Sequence, residues 1–300
     1  MQRKLIKQGG SGLTLYLPKK WVDKHHLNTG DLVDIEESED KLVIAAQIGK
    51  CVPRLIELEI PQKRESVVRT ILVNAYRAGY DKFIVTYKGN PQELNSIVAD
   101  NLIGFEVFKK KEATFSLESV AEPSYGSWEN IIEKQFYIIG EIFSLLARED
   151  CSGLGLKVQR YDNFLKRCIS KGVFTTKAMP FLWQFLSNLT QIARQGYHFN
   201  QLLMKNKQKL SPKEQHFLEE IQKMFATLQK AYLAKNSEVL VELHELEQKL
   251  LRDQGMKLLQ TQNPVHLHYL VTLGRLIYLA NSPLEGYLQV SSHSTAASRT

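Results

Sequence analysis

The apolar residues of this chain change their spacing at Trp128, and that change limits the folds open to it. From there on they recur at intervals of three and four, beginning with Ile131, Ile132, Phe136, Ile139, Ile142, Phe143 and Leu146. That is the period of a helix with one buried face. Strand signals are confined to the region before residue 120. The chain is therefore expected to be multidomain α+β, with its β structure gathered at the front. Further helices are expected at about 154–169, 178–205, 211–235, 237–260 and 264–281. Ser211-Pro212-Lys213-Glu214 gives the clearest start signal: a capping hydroxyl, a proline at the first helical position and an acid at the third. Residues 291–300 hold six Ser or Thr and are expected to form a disordered tail.

The front of the chain divides in two. Residues 3–6 and 13–17 alternate apolar and polar around Gly9-Gly10-Ser11-Gly12, which predicts a β-hairpin. Pro18 ends the second strand and suits the first turn of a short helix at 19–26. Strands at 32–36 and 41–45 follow, joined by the acidic turn Glu37-Ser38-Glu39-Asp40. So few large apolar groups in about 45 residues cannot build a core, and the unit should need a second copy of itself. Beyond it the pattern reads strand (54–60), helix (62–78), strand (83–87), helix (91–103) and a strand pair (105–108 and 113–117) around Lys109-Lys110-Lys111. This βαβαββ order implies a small α/β module. The expected domains are 1–48, 52–119 and 128–290, followed by the tail at 291–300.

Charge is unevenly spread. Net charge is +7 and the pI is near 9.1. Residues 1–24 carry six Lys or Arg against one acid, while residues 25–47 carry one Lys against six acids. A cationic front is what a polyanion partner requires. Cys51, Cys151 and Cys168 form no C-x-x-C pair, which argues against a disulfide framework or thiolate zinc site and suits a reducing cytoplasm. No apolar run approaches the roughly 18 residues of a membrane span, and no signal-peptide core follows the start, so a cytoplasmic protein without membrane insertion is expected. The chain lacks a G-x-S-x-G elbow, a Walker loop, a G-x-G-x-x-G after a strand and an H-E-x-x-H helix, so it is not expected to be an enzyme. His25-His26 and His266-x-His268 place their rings on different helix faces and make poor metal pairs.

Three blocks, Ile6-Lys7-Gln8-Gly9-Gly10-Ser11, Leu15-Tyr16-Leu17-Pro18-Lys19 and Leu27-x-x-Gly30-Asp31-x-Val33, resemble the AbrB/MazE family in order and spacing. The resemblance implies a swapped-hairpin β-barrel made by two chains, a homodimer whose paired first hairpins present basic residues to DNA. Carried over by position, the DNA-binding candidates are Arg3, Lys4, Lys7, Ser11, Lys19 and Lys20. Gln8 and Tyr16 stand where several antitoxin-type members carry arginine, which points to mainly electrostatic, salt-sensitive binding.

The helical region from about 129 to 289 resembles PhoU, a six-helix protein of two three-helix repeats. Asn188 to Gln195 and Leu273 to Ala280 are similar stretches about 85 residues apart. The order of hairpin, α/β module and PhoU-like domain resembles archaeal phosphate-uptake regulators. It implies a DNA-binding transcription regulator of phosphate uptake and homeostasis. The alternative implied is a cytosolic adaptor acting on a phosphate transporter ATPase or a sensor kinase without binding DNA. PhoU relatives often hold iron or zinc through E-x-x-x-D, whose acids share a helix face. Here Val158-Gln159-Arg160-Tyr161-Asp162 lacks the leading acid, and Glu238, Glu242, Glu245 and Glu247 find no matching partner in the first repeat. Asp162, Glu242 and Glu245 are the metal candidates left by the pattern, and no cofactor is expected.

Overall fold

A computed structural model describes residues 4–8, 12–38, 41–46, 53–61, 64–111, 113–120, 128–172 and 177–297. The chain forms two compact units, Met1–Pro53 and Arg54–Thr300. It is a mixed α+β protein with a small β region in front and a helical part behind.

In the first unit β1 (Ile6–Gln8) pairs antiparallel with β2 (Gly12–Thr14), Ile6 opposite Thr14 and Lys7 opposite Leu13. The hairpin is shorter than the alternation predicts, because Leu15 to Pro18 find no partner strand among the described residues and three-residue pairs are marginal. Helix α1 (Lys19–Lys24) follows, with Pro18 as the extended residue before it. It ends two residues earlier than expected, since His26 is left-handed at φ 52°. Strands β3 (Val33–Ser38) and β4 (Lys41–Ala46) make a second antiparallel ribbon, with Ile35 opposite Ile44.

No described side chain of this unit is buried. Leu5, Ile6, Leu13, Leu15, Tyr16, Leu32, Ile35 and Leu42 are between 44% and 67% exposed. Described residues that bury no side chain among themselves supply no hydrophobic term to offset their ordering entropy, so these groups need a cover from beyond them.

The second unit opens with a four-stranded sheet of order β5-β6-β8-β7. Strand β5 (Leu55–Ile60) runs parallel to β6 (Lys82–Tyr87) through the crossover helix α2 (Glu65–Arg77). Helix α3 (Pro91–Asn101) starts at Asn90, whose side chain accepts from the Gln92 N–H at 3.0 Å, and leads to β7 (Phe105–Lys111) and β8 (Thr114–Ser119). Phe83, Val85 and Tyr87 of β6 and Phe115 and Leu117 of β8 pack with Val68, Leu72, Tyr76 and Leu94 of the helices in one core. The Lys109 to Lys111 run, expected as a turn, continues β7 as an exposed edge with a register shift between Lys109 and Lys111. Lysines on an edge strand discourage pairing with further strands.

Helices α4 (Trp128–Leu145), α5 (Ser152–Ser170), α6 (Met179–Lys205) and α7 (Pro212–Ala234) follow. The predicted helix at 237–260 is broken: a 3-10 turn (Ser237–Leu240), α8 (Val241–Leu246), a π-helical stretch (Glu247–Gln254) and α9 (Gly255–Thr261). Then come α10 (Pro264–Leu279) and α11 (Asn281–Ala297). The expected disordered tail is therefore helical through Ala297. Leu284 and Leu288 on α11 are buried in the helical core and anchor it, and Ala296 and Ala297 suit a helix. At Ser211 the capping box forms as read: the Glu214 N–H donates to Ser211 Oγ at 3.3 Å, and the Ser211 N–H donates to Glu214 Oε2 at 2.7 Å.

The α/β module and the helices, expected as separate domains, are one compact unit. Helix α5 packs against α2 and α3, and its contacts there are polar. Arg77 of α2 donates to Asp162 Oδ2 at 2.8 Å and to Asn163 Oδ1 at 2.7 Å. Asn163 donates to the Asn101 carbonyl that ends α3. Arg167, 1% exposed, donates to the Tyr80 carbonyl at 2.6 Å and to Asp81 Oδ1 at 2.7 Å. Its guanidinium lies 5.0 Å from the ring centres of both Tyr76 and Phe105.

Candidate nucleic-acid interface

The first unit places the candidate DNA-binding residues in two groups. Lys4 precedes β1 and Lys7 lies on it, while Lys19 and Lys20 open α1 just after Pro18. All four are exposed, and none is paired with a carboxylate among the described residues. Arg3 and Ser11 fall outside the described residues. An unpaired lysine on a solvated surface loses little on meeting a phosphate oxygen, and it releases counterions from the duplex.

The local fold keeps the Asp31 carboxylate occupied. Asp31 accepts from the Asn28 N–H at 2.7 Å, closing the turn that Gly30 completes at φ +96°. Only a residue without a side chain takes that conformation readily. Trp21 of α1 packs on His25 with ring centres 4.8 Å apart.

The three metal candidates do not meet. Asp162 is fully buried on α5, where its Oδ2 accepts from Arg77 and from Lys166 at 3.0 Å, and the Lys166 Nζ also lies 2.9 Å from Oδ1. Burial pushes the Asp162 carboxyl up and the Lys166 ammonium down, and the charge of each opposes the other's shift. Glu242 and Glu245 sit exposed on α8. Among the described residues no three His, Cys, Asp or Glu side chains gather as a metal site. Of the histidine pairs, His266 is buried between Glu214 Oε2 at 3.3 Å and Gln208 Oε1 at 3.1 Å, while His268 is exposed.

Asp81 was not legible as a key residue. It accepts from Arg167, from Lys171 Nζ at 2.7 Å and from the Arg54 N–H at 3.1 Å. Burial raises its carboxyl, but the Lys171 hydrogen bond, the Arg54 N–H and the two cationic charges outweigh burial and hold it below its ordinary value. The only local signal was Asp162 and Lys166, opposite charges one helical turn apart on α5.

With this geometry in place, the comparisons with known proteins concern the first unit. Residues 6–50 match the family described as "Antidote-toxin recognition MazE, bacterial antitoxin". The chain therefore carries a MazE/AbrB-like domain at its N-terminal end. No curated protein and no solved structure matches the chain. Among the described residues no helix is long and apolar enough to cross a membrane.

Proposed function

We propose that this protein is a homodimeric, DNA-binding transcription regulator acting in the cytoplasm. Two copies of the first unit interleave into a swapped-hairpin barrel that turns Lys4, Lys7, Lys19 and Lys20, with Arg3 and Ser11, toward a duplex. One observation carries the reading: a MazE-like unit with no buried side chain among its described residues displays four lysines unpaired there, together with eight exposed apolar groups. The apolar groups ask for a second copy, and the lysines ask for phosphates.

Duplex binding measured across a salt series tests it. Each phosphate contact contributes about 0.9 to the slope of log affinity against log salt. A Lys4→Ala, Lys7→Ala, Lys19→Ala variant removes three contacts from each chain of the dimer, so the slope should shrink by up to about 5. An unchanged slope, or no affinity at low salt, refutes the reading.

In this proposal the helical part is PhoU-like, six helices in two repeats, and couples phosphate supply to the DNA-binding unit without catalysis and without a metal. The succession of long helices and their two similar stretches support it. Chromatin immunoprecipitation at high and low phosphate is the test, and occupancy indifferent to phosphate removes this part. The description of the matched family favours a second reading, an antitoxin that holds a toxin. Stoichiometric co-purification of a toxin with the chain would select it.

A further inference from the structure

A cavity of about 460 Å³ opens in the helical part where α4 begins, α7 ends and α11 passes. Glu129 and Glu133, one turn apart on α4, stand on its wall with Tyr232, Lys235, Tyr287 and Leu288. The last turn of a helix carries the negative end of its dipole, so the end of the 23-residue α7 adds to the pull on a cation.

Tyr232 is the informative residue. It is 7% exposed, its ring is held against Phe136, Phe185 and Tyr287, and no described group hydrogen-bonds its hydroxyl. Tyr232 lines the cavity together with Glu129 and Glu133, and burial raises its phenol, with the nearby Tyr287, Glu129 and Glu133 adding to the rise. A phenol oxygen that has no partner among the described residues and sits at the wall of a cavity is left to bond what enters it.

The chain's own chemistry indicates what arrives. The Lys235 ammonium lies 3.6 Å from Glu129 Oε1, with both side chains largely in solvent. Such a loose pair is weak and easily exchanged. A bare metal ion is a poor fit, since two carboxylates are not joined by a third His, Cys, Asp or Glu among the described residues, and the space far exceeds one ion. Tyrosine faces and Leu288 suit an alkyl body, and the carboxylates and the phenol oxygen suit N–H donors.

We propose that this cavity binds a small primary alkylammonium ion, whose head replaces Lys235 beside Glu129 and reaches Glu133 and the Tyr232 hydroxyl. The site stands apart from the DNA-binding reading and survives or fails without it.

Titration calorimetry of the full chain at low salt, with butylammonium and putrescine as probes and butanol as the neutral control, tests it. One saturable site per chain is expected for the amines and none for butanol. Glu133→Gln should weaken binding about tenfold or more, and Tyr232→Phe, which keeps the ring packing, about fivefold. Lys235→Ala should tighten binding, an effect that loss of a merely structural residue would not give. Absence of saturable amine binding, binding indifferent to Glu133→Gln and Tyr232→Phe, or binding of magnesium or zinc in place of the amines overturns the proposal.

Discussion

The apolar face of the β3–β4 ribbon offers the sharpest test of how the first unit is held together. Register puts Ile35 beside Ile44, and Val33 and Leu42 belong to the same face. Ile35 is 62% exposed, so about three-fifths of its side chain is left for a partner to cover. Full burial of such a side chain contributes about 1.5–3 kcal/mol, which leaves about 1–2 kcal/mol per copy here. A symmetric dimer loses it twice. Ile35→Asp should therefore weaken association by about 2–4 kcal/mol, or roughly 30- to 1,000-fold in dissociation constant, before the cost of burying the new carboxylate is added. Sedimentation equilibrium of the full chain at micromolar concentration reads this directly. The melting transition of the second unit serves as the control, because its two cores contain no residue of the first. DNA affinity should fall together with dimerisation. The reasoning is refuted if the variant associates as tightly as the parent, or if the parent is monomeric where it saturates DNA.

Three further outcomes follow from the second unit. Arg167→Ala leaves the Tyr80 carbonyl without its donor and takes from Asp81 one of its two cations, so chemical denaturation should show a loss of about 3 kcal/mol. Arg167→Lys should recover little of this, since an ammonium cannot bridge the same acceptors and stack on Tyr76 and Phe105. Asp81 is held below its ordinary value in the folded chain, so its contribution is complete above about pH 4 and is lost as pH falls through the depressed value. Denaturation midpoints at pH 6 and pH 3 should therefore differ more in the parent than in Asp81→Asn. Ser211→Ala removes the acceptor of the Glu214 N–H, and thermal unfolding should show a cost of about 1 kcal/mol.

Which of these features the sequence displays depends on how far apart the interacting residues are. The strand from Phe83 to Tyr87, the three-four spacing from Ile132 to Phe143 and the Ser211 to Glu214 box are all local, and each forms the element expected, the strand burying Phe83, Val85 and Tyr87 on one face only. The clamp between α2 and α5 joins Arg77 to Asp162 across 85 positions and Arg167 to Asp81 across 86, so no spacing rule could expose it. Arg167 on its own reads as a solvated charge. For the same reason Asp162 pointed toward a metal: one acid on a helix reads alike whether a cation or an arginine sits opposite. The breaks at Ser237–Leu240 and Glu247–Gln254 carry no proline or glycine within them, so they too leave no mark on the period. The missing interior of the first unit was legible because it is a matter of quantity, not of position. About 45 residues with this few large apolar side chains cannot enclose one another, and the exposure of Leu13, Ile35 and Leu42 is the direct expression of that shortage. A surface like this persists in a working protein only when covered, and a face repeated on an identical chain is the cover always present at the same concentration.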